Sequence, residues 1–308
     1  MTVHPCTVRS RSKTEFFNRL LVLQACFSLA ACTETSDPDI LSIDSDPNIP
    51  RIVTLAPHLA ELVFAAGAGE FLVGVSAFSN YPSAVKELPQ IGDAFLIDQE
   101  QLLLLRPNLL LAWENGTAER TVDELRDRGY RVEVIRTDGL QDIADALIAI
   151  GALTGHQADA NSVARDFLAD IEDLRTRHSG RRSIRVFYQI ARRPLYTVNA
   201  DHYVSELIQL CGGENVFSDL GSLAPLVSEE AVLVRDPEIM IAGRITDDDE
   251  PLDGWQRWPA LTTNVLGNFF YIPADFLARP TTRLVRAGEL ICESLAKGRN
   301  NRLSHVTD

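Results

Sequence analysis

Thirteen residues of this chain recur without a gap 130 positions later, and that recurrence constrains the fold more than any other feature. Glu100-Gln-Leu-Leu-Leu-Leu-Arg-Pro107-Asn-Leu-Leu-Leu-Ala112 matches Glu230-Ala-Val-Leu-Val-Arg-Asp-Pro237-Glu-Ile-Met-Ile-Ala242 at the Glu, the Pro and the Ala. Proline lacks the amide N–H that a helix interior needs, so each copy reads as a short helix, a stop and a buried strand. Asp98 and Ser228 precede the two Glu residues by two and suit the N-cap. Between the copies lies the longest helical signal, Gln157 to His178, with Val163, Phe167, Leu168, Ile171 and Leu174 spaced by three and four. At ~1.5 Å per residue it reaches about 33 Å, enough to join two lobes stiffly. The economical reading is α/β: two similar lobes with parallel-type sheets, one long rigid connecting helix and a ligand cleft between the lobes.

Alternation of short apolar runs with longer amphipathic ones fills in both lobes. Strands are expected at Ile52–Leu55, Phe71–Val75, Leu109–Ala112 and Val132–Ile135, with helices from Pro57, over Gln101–Leu105, over Ala118–Arg128 and over Asp142–Leu153. Past the long helix, strands are expected at Ile184–Ile190, Leu195–Val198, Ile239–Ala242 and Phe269–Ile272, with helices at Val204–Leu210 and Thr282–Leu295. The first lobe is therefore drawn over residues 51–156, the connector over 157–180, the second lobe over 181–298, and a tail over 299–308.

Ahead of the lobes, a basic stretch runs into Leu20-Leu-Val-Leu-Gln-Ala-Cys-Phe-Ser-Leu-Ala-Ala31, an apolar run too short to span a bilayer comfortably. Small residues leading into Cys32 resemble the bacterial lipoprotein signal, in which the Cys takes lipid; an ordinary secretory leader cut near Ala31 is the alternative. Either reading removes residues 1–31 and exports the rest. Residues 32–50 are polar, acidic and Pro-bearing, and read as a flexible tether. Cys6 and Cys26 go with the leader, which leaves Cys211 and Cys292 for an oxidising compartment, as one disulfide or as two buried thiols.

The chain has 29 Lys plus Arg against 43 Asp plus Glu, a formal charge of −14 that repels phosphate backbones and argues against nucleic acid. No nucleophile elbow, HExxH, phosphate loop or dinucleotide fingerprint occurs, and none of the six His pairs at ligand spacing. His58, after Pro57 at a strand-to-helix loop, reads first as a solvated helix-start side chain and second as an axial metal ligand. Several aromatics fall just after strands, where rings can line a cleft and hold a broad flat ligand: Tyr81, Phe95, Trp113, Tyr196 and Phe276, the last beside Asp275. A first-turn Glu is favoured by the helix dipole for local reasons, which explains one of Glu100 and Glu230. Matching Glu residues in both lobes suggest two equivalent anionic knobs for a two-fold basic partner.

From Arg51 to about Leu295 the sequence resembles the periplasmic cobalamin-binding proteins of ABC-type vitamin importers, a group that also includes ferric siderophore and heme binders. The resemblance rests on Arg51-Ile-Val-Thr-Leu-Ala-Pro57, Glu61-Leu-Val-Phe-Ala-Ala-Gly67, Val73-Gly-Val-Ser76 with Tyr81-Pro82, Arg106-Pro-Asn-Leu-Leu-Leu-Ala-Trp113, Cys211-Gly-Gly-Glu-Asn215 and Val227-Ser-Glu-Glu230. It implies a non-enzymatic, lipid-anchored, periplasm-facing monomer that carries cobalamin or a related corrinoid as cargo, needs no cofactor, and delivers to a permease dimer in the inner membrane. It further implies permease docking through Glu100 and Glu230, a disulfide between Cys211 and Cys292, and ligand contacts at Tyr81, Trp113, Tyr196 and Phe276, with Phe95, Asp275 and His58 as further candidates. Ala94 and Ala224 stand where relatives carry Trp, which thins the pocket wall and keeps other corrinoids or bulky chelates in view. The alternatives are a heme or ferric siderophore receptor using Tyr81 or His58 on iron, and an exported metalloenzyme on the same scaffold.

Overall fold

Short apolar runs bounded by proline, glycine or a cap become the strands of two four-stranded parallel sheets. The computed structural model describes residues 49–307, with side chains through residue 302; the expected leader, Cys32 and nearly all of the expected tether lie outside the described residues. The first lobe runs β1 (Ile52–Thr54), α1 (Pro57–Ala65), β2 (Leu72–Val75), α2 (Gln99–Leu105), β3 (Leu109–Trp113), α3 (Glu119–Asp127), β4 (Val132–Ile135) and α4 (Leu140–Thr154). Its sheet has the order β2-β1-β3-β4. Then α5 (Gln157–His178) crosses to the second lobe, starting just after Gly155, whose φ of 80° ends α4.

The second lobe runs β5 (Ile184–Gln189), β6 (Ala191–Arg192), β7 (Leu195–Tyr196), α6 (Tyr203–Leu210), β8 (Gly213–Asn215), α7 (Glu229–Arg235), β9 (Ile239–Arg244), α8 (Thr262–Leu266), β10 (Phe269–Pro273), α9 (Ala274–Ala278) and α10 (Leu284–Thr307). Its parallel sheet reads β8-β5-β9-β10, which is the first lobe's order repeated: second, first, third, fourth. Central strands are covered on both faces, as parallel sheets require. Leu109–Leu111 and Ile239–Ile241 are buried against β1 and β5 in register.

One apolar cluster runs through both lobes and α5, taking Leu59 and Leu62 from α1, Ile143 and Leu147 from α4, Phe167, Ile171 and Leu174 from α5, and Leu284 and Ile291 from α10. This shared core, with α5 laid through it, fixes the angle between the lobes. Cys211, just past α6, is bonded to Cys292 in α10, their Cα atoms 4.8 Å apart.

Three expectations change. Of Leu195–Val198, β7 takes Leu195 and Tyr196, paired antiparallel to β6; Thr197 donates its N–H to Pro225 O and its Oγ1 hydrogen to Tyr188 O, which turns the chain away. Gly213–Asn215, where no strand was expected, is an edge strand on β5. The tail over 299–308 is instead helical through Thr307. Asn301 Nδ2 bonds Asn268 Oδ1 at 2.8 Å and Arg302 pairs with buried Glu238, which holds the added turns to the sheet.

Candidate functional site

Both sheets point the C-terminal ends of their strands at the groove between the lobes, where open α/β sheets place ligands. A cavity of about 410 Å³ sits there, with Trp113 and Asn115 from the first lobe facing Tyr188, His202, Tyr203, Ala224, Gly243 and Ala274 of the second. That volume is ordinary for a small-molecule site, about 300–1,000 Å³. Its walls are mostly apolar, so binding here draws on area burial and ring contact more than on charge.

Trp113 is the one expected ligand contact that lines this cavity. Its indole is set from two sides. The His58 ring meets it edge-on with centroids 4.9 Å apart, and any Cβ at Gly116 would overlap its six-membered ring. His58 is not the solvated side chain the sequence suggests: it is buried behind Trp113, 3% exposed, because α1 turns its first residues into the lobe. Burial, helped by Arg279, lowers the His58 pKa to about 3, so the imidazole is neutral. Its Nε2 and the Trp113 Nε1 have no hydrogen-bond partner among the described residues. His202, absent from the sequence expectations, is also brought to the cavity; its Nδ1 accepts the Val204 N–H at 3.1 Å as the N-cap of α6, and burial lowers its pKa to about 3.

Tyr81, Phe276 and Asp275 gather instead around two arginines beside the cavity. Glu61 in α1, with 3% of its side chain exposed, accepts from Arg279 Nη1 at 2.9 Å and from Arg283 Nε at 2.9 Å and Nη2 at 2.6 Å. Arg279 also donates to Asn80 Oδ1 at 2.5 Å and to the carbonyl of Phe78, a residue held at φ 66°. Asp275 lies 3.4 Å from Arg279 and accepts from Asn80 Nδ2. The Arg283 guanidinium covers the Tyr81 ring at 4.4 Å and approaches the Phe276 ring at 5.4 Å. One first-lobe carboxylate and two second-lobe guanidiniums therefore clamp the lobes together and fix one ring from each. Sequence reasoning missed this clamp; a lone Glu amid Leu59, Ala60, Leu62 and Val63 was the available signal.

The other expected contacts lie apart from the cavity wall. Phe95 stands in solvent at 97% exposure, next to exposed Ala94, and Tyr196 sits on β7 opposite Leu226. A second tie joins the lobes: Tyr203 N–H donates to Asp138 O at 2.7 Å, and Glu206 Oε1 accepts the Leu140 N–H at 3.1 Å. Among the described residues no group of three or more His, Cys, Asp or Glu could hold a metal ion, and no helix is long and apolar enough to cross a membrane.

Comparison with known proteins places this architecture. Residues 52–266 match the family model described as periplasmic binding protein. The vitamin B12-binding protein of Vibrio cholerae serotype O1 is 36% identical over 248 residues, covering 80% of this chain and 88% of the relative. The crystal structure of the periplasmic vitamin B12 binding protein BtuF of Vibrio cholerae is similar with a TM-score of 0.73 at 34% identity, over 81% of this chain and 98% of that one. The periplasmic heme binding protein HutB of Vibrio cholerae shares the fold, with a TM-score of 0.69 at 22% identity over 80% and 98%. By the extent of the family match and the identity to these relatives, the chain belongs to the periplasmic binding protein family.

Proposed function

We propose that the chain is the solute-binding component of an ABC importer, capturing cobalamin or a related corrinoid in the periplasm and delivering it to a permease dimer in the inner membrane. The observation that carries this reading is the largely apolar cavity between the lobes, walled by Trp113 on one side and Tyr188 and Tyr203 on the other. A corrinoid exceeds the enclosed volume, so part of it lies in the open groove, within reach of the Tyr81 and Phe276 rings that Arg283 holds. The shared core, the clamp and α5 keep the groove preformed, which limits the ordering cost of binding. Ala224, a small residue in the wall, leaves room for variation in the corrinoid.

Export by removal of residues 1–31, lipid on Cys32, residues 32–50 as a tether, a Cys211–Cys292 disulfide in the oxidising compartment and a monomeric state complete the proposal. Glu100 and Glu230 dock the permease; both are exposed and lie outside the cavity lining. Tyr81 under Arg283 and His58 behind Trp113 are poorly placed to bind iron, which favours a corrinoid over heme or a ferric siderophore. Calorimetry of the mature chain against cyanocobalamin, cobinamide and heme tests the reading. Binding of cyanocobalamin, weakened in Trp113→Ala, is expected; heme binding with no response to either corrinoid would overturn it.

A further inference from the structure

The helices α2 and α7 occupy the same place in their lobes, and their outer faces match position by position. Asp98 Oδ1 accepts the Gln101 N–H at 2.9 Å, and Ser228 Oγ accepts the Ala231 N–H at 3.2 Å. Each helix buries one side chain at its centre, Leu102 or Val232. Each ends on a non-glycine residue in the left-handed region, Arg106 at φ 45° or Asp236 at φ 41°. The local chemistry of folding accounts for these three repeats.

Two further repeats lie on the solvent side, where the helix dipole favours a first-turn Glu but gives no reason for an exposed aliphatic one turn on. Glu100 and Glu230 carry no ion pair within the chain among the described residues; in α7, Arg257 pairs with the neighbouring Glu229, while Glu230 accepts from its own backbone N–H and from Ser228 and feels Arg257 only through its charge. Four residues on, one turn along the same helical face, Leu104 and Val234 stand in solvent at 69% and 85% exposure. Neither joins any of the apolar clusters of the fold. Leu103 widens the first patch, while its counterpart Leu233 packs onto the second lobe's core. A single exposed aliphatic is ordinary. Here matched aliphatics each lie about 6 Å along the axis from matched exposed carboxylates that form no ion pair among the described residues, on lobes whose strand order is itself repeated.

We propose that Leu104 and Val234 form the apolar half of a duplicated docking surface, and that its partner is a two-fold permease whose subunits each present a cation to Glu100 or Glu230 and an apolar shelf one helical turn away. The inference rests on the docking reading above and adds the second contact that the surface needs. Charge steers encounter and sets register; a flanking aliphatic excludes water around the ion pair, and an ion pair strengthens as its surroundings lose water. A basic lipid-free protein partner fits this pattern better than a membrane surface, whose anionic headgroups would repel both carboxylates.

The test uses the full mature chain and its cobalamin permease reconstituted in nanodiscs, with docking measured at several salt concentrations. Leu104→Ser and Val234→Ser are expected to weaken docking by about tenfold each, without changing the slope of affinity against salt. Glu100→Ala with Glu230→Ala should flatten that slope, and cyanocobalamin affinity should stay unchanged in every variant. Docking unaffected by the two Ser substitutions but weakened by the Glu pair would overturn the inference and leave the docking reading standing. Docking indifferent to the Glu pair would overturn both. A wild-type chain that sediments as a dimer, and as a monomer with both Ser substitutions, would assign the patches to a second copy and overturn the proposal.

Discussion

Glu61→Gln isolates the clamp between the lobes. The carboxylate takes three N–H bonds from Arg279 and Arg283, whose side chains are only 9% and 17% exposed. An amide keeps the shape but removes the charge and turns an NH2 group toward a guanidinium. Asp275, 3.4 Å from Arg279 with half its side chain in water, is the nearest remaining counter-charge. Breaking a buried pair by removing one partner costs about 3–5 kcal/mol, against a global stability of about 5–15 kcal/mol for a domain. The variant should therefore fold, with its Tm lowered by roughly 10 °C at about 2–4 °C per kcal/mol. Cyanocobalamin affinity should fall as well, since Arg283 sets the Tyr81 and Phe276 rings. Replacing all three charges, as Glu61→Leu, Arg279→Met and Arg283→Met, should return most of the stability while affinity stays low, because apolar replacement of a buried ion cluster is often neutral. Differential scanning calorimetry and ligand titration read the two effects separately. A Glu61→Gln Tm within about 3 °C of the parent would mean the three groups behave as a solvated surface pair, and the clamp would have no claim on the cleft.

Three other expectations are open to simple assays. Gly116→Ala should push the Trp113 indole from its place and weaken cyanocobalamin binding about tenfold or more, as judged by calorimetry, whereas Gly221→Ala, whose Cβ would meet nothing within 4 Å, should bind as the parent does; equal affinities would refute the placement of the indole. His58 and His202 both have pKa values of about 3 in the folded chain against 6.5 when unfolded. The unfolded chain thus binds more protons, so stability is complete above pH about 6.5 and falls as pH drops toward 3, by about 2 kcal/mol per histidine at pH 5. Urea unfolding at pH 5 to 8 should show this slope, halved in His202→Asn, where Asn still caps α6; an unchanged slope would refute the burial argument. Replacing Cys211 and Cys292 by Ser opens a loop of sequence separation 81 and should cost about 4 kcal/mol on the chain-entropy model, read as a lower urea midpoint, with no change in the parent on adding reductant arguing against the bond.

What was legible in the sequence follows from how local its cause is. The span of α5 coincides with the expected Gln157–His178, because an amphipathic stripe is written in consecutive residues. The clamp was illegible because its partners are 218 and 222 positions apart, and no periodicity links a Glu in α1 to arginines beside α10. Tyr188 hid inside a strand signal, since its apolar neighbours explain it without a cleft. The closing helix, expected to end at Leu295, runs on through Gly298, where a Cβ would overlap Ile239 Cδ1. The glycine allows α10 to approach β9 closely and continue. Packing between distant elements decided each of these cases.

The repeat between the lobes also sets two unlike strand ends face to face at the cleft. With the repeat aligned, Trp113 at the end of β3 falls opposite its own counterpart, Gly243 in β9, and both line the cavity. Two indoles at these positions would fill the space between the sheets; an indole facing a glycine leaves a hollow with one stacking wall. The glycine is held to its role by packing, because a Cβ on Gly243 would lie 3.2 Å from the Ala274 Cα at the start of α9. The caps, the central buried residues and the outward Glu and aliphatic pairs are alike in both lobes. The strand ends that share one ligand had to differ, since a single asymmetric guest cannot be gripped by two identical walls. Symmetry on the outer surface suits a two-fold partner, and its loss at the groove suits the cargo.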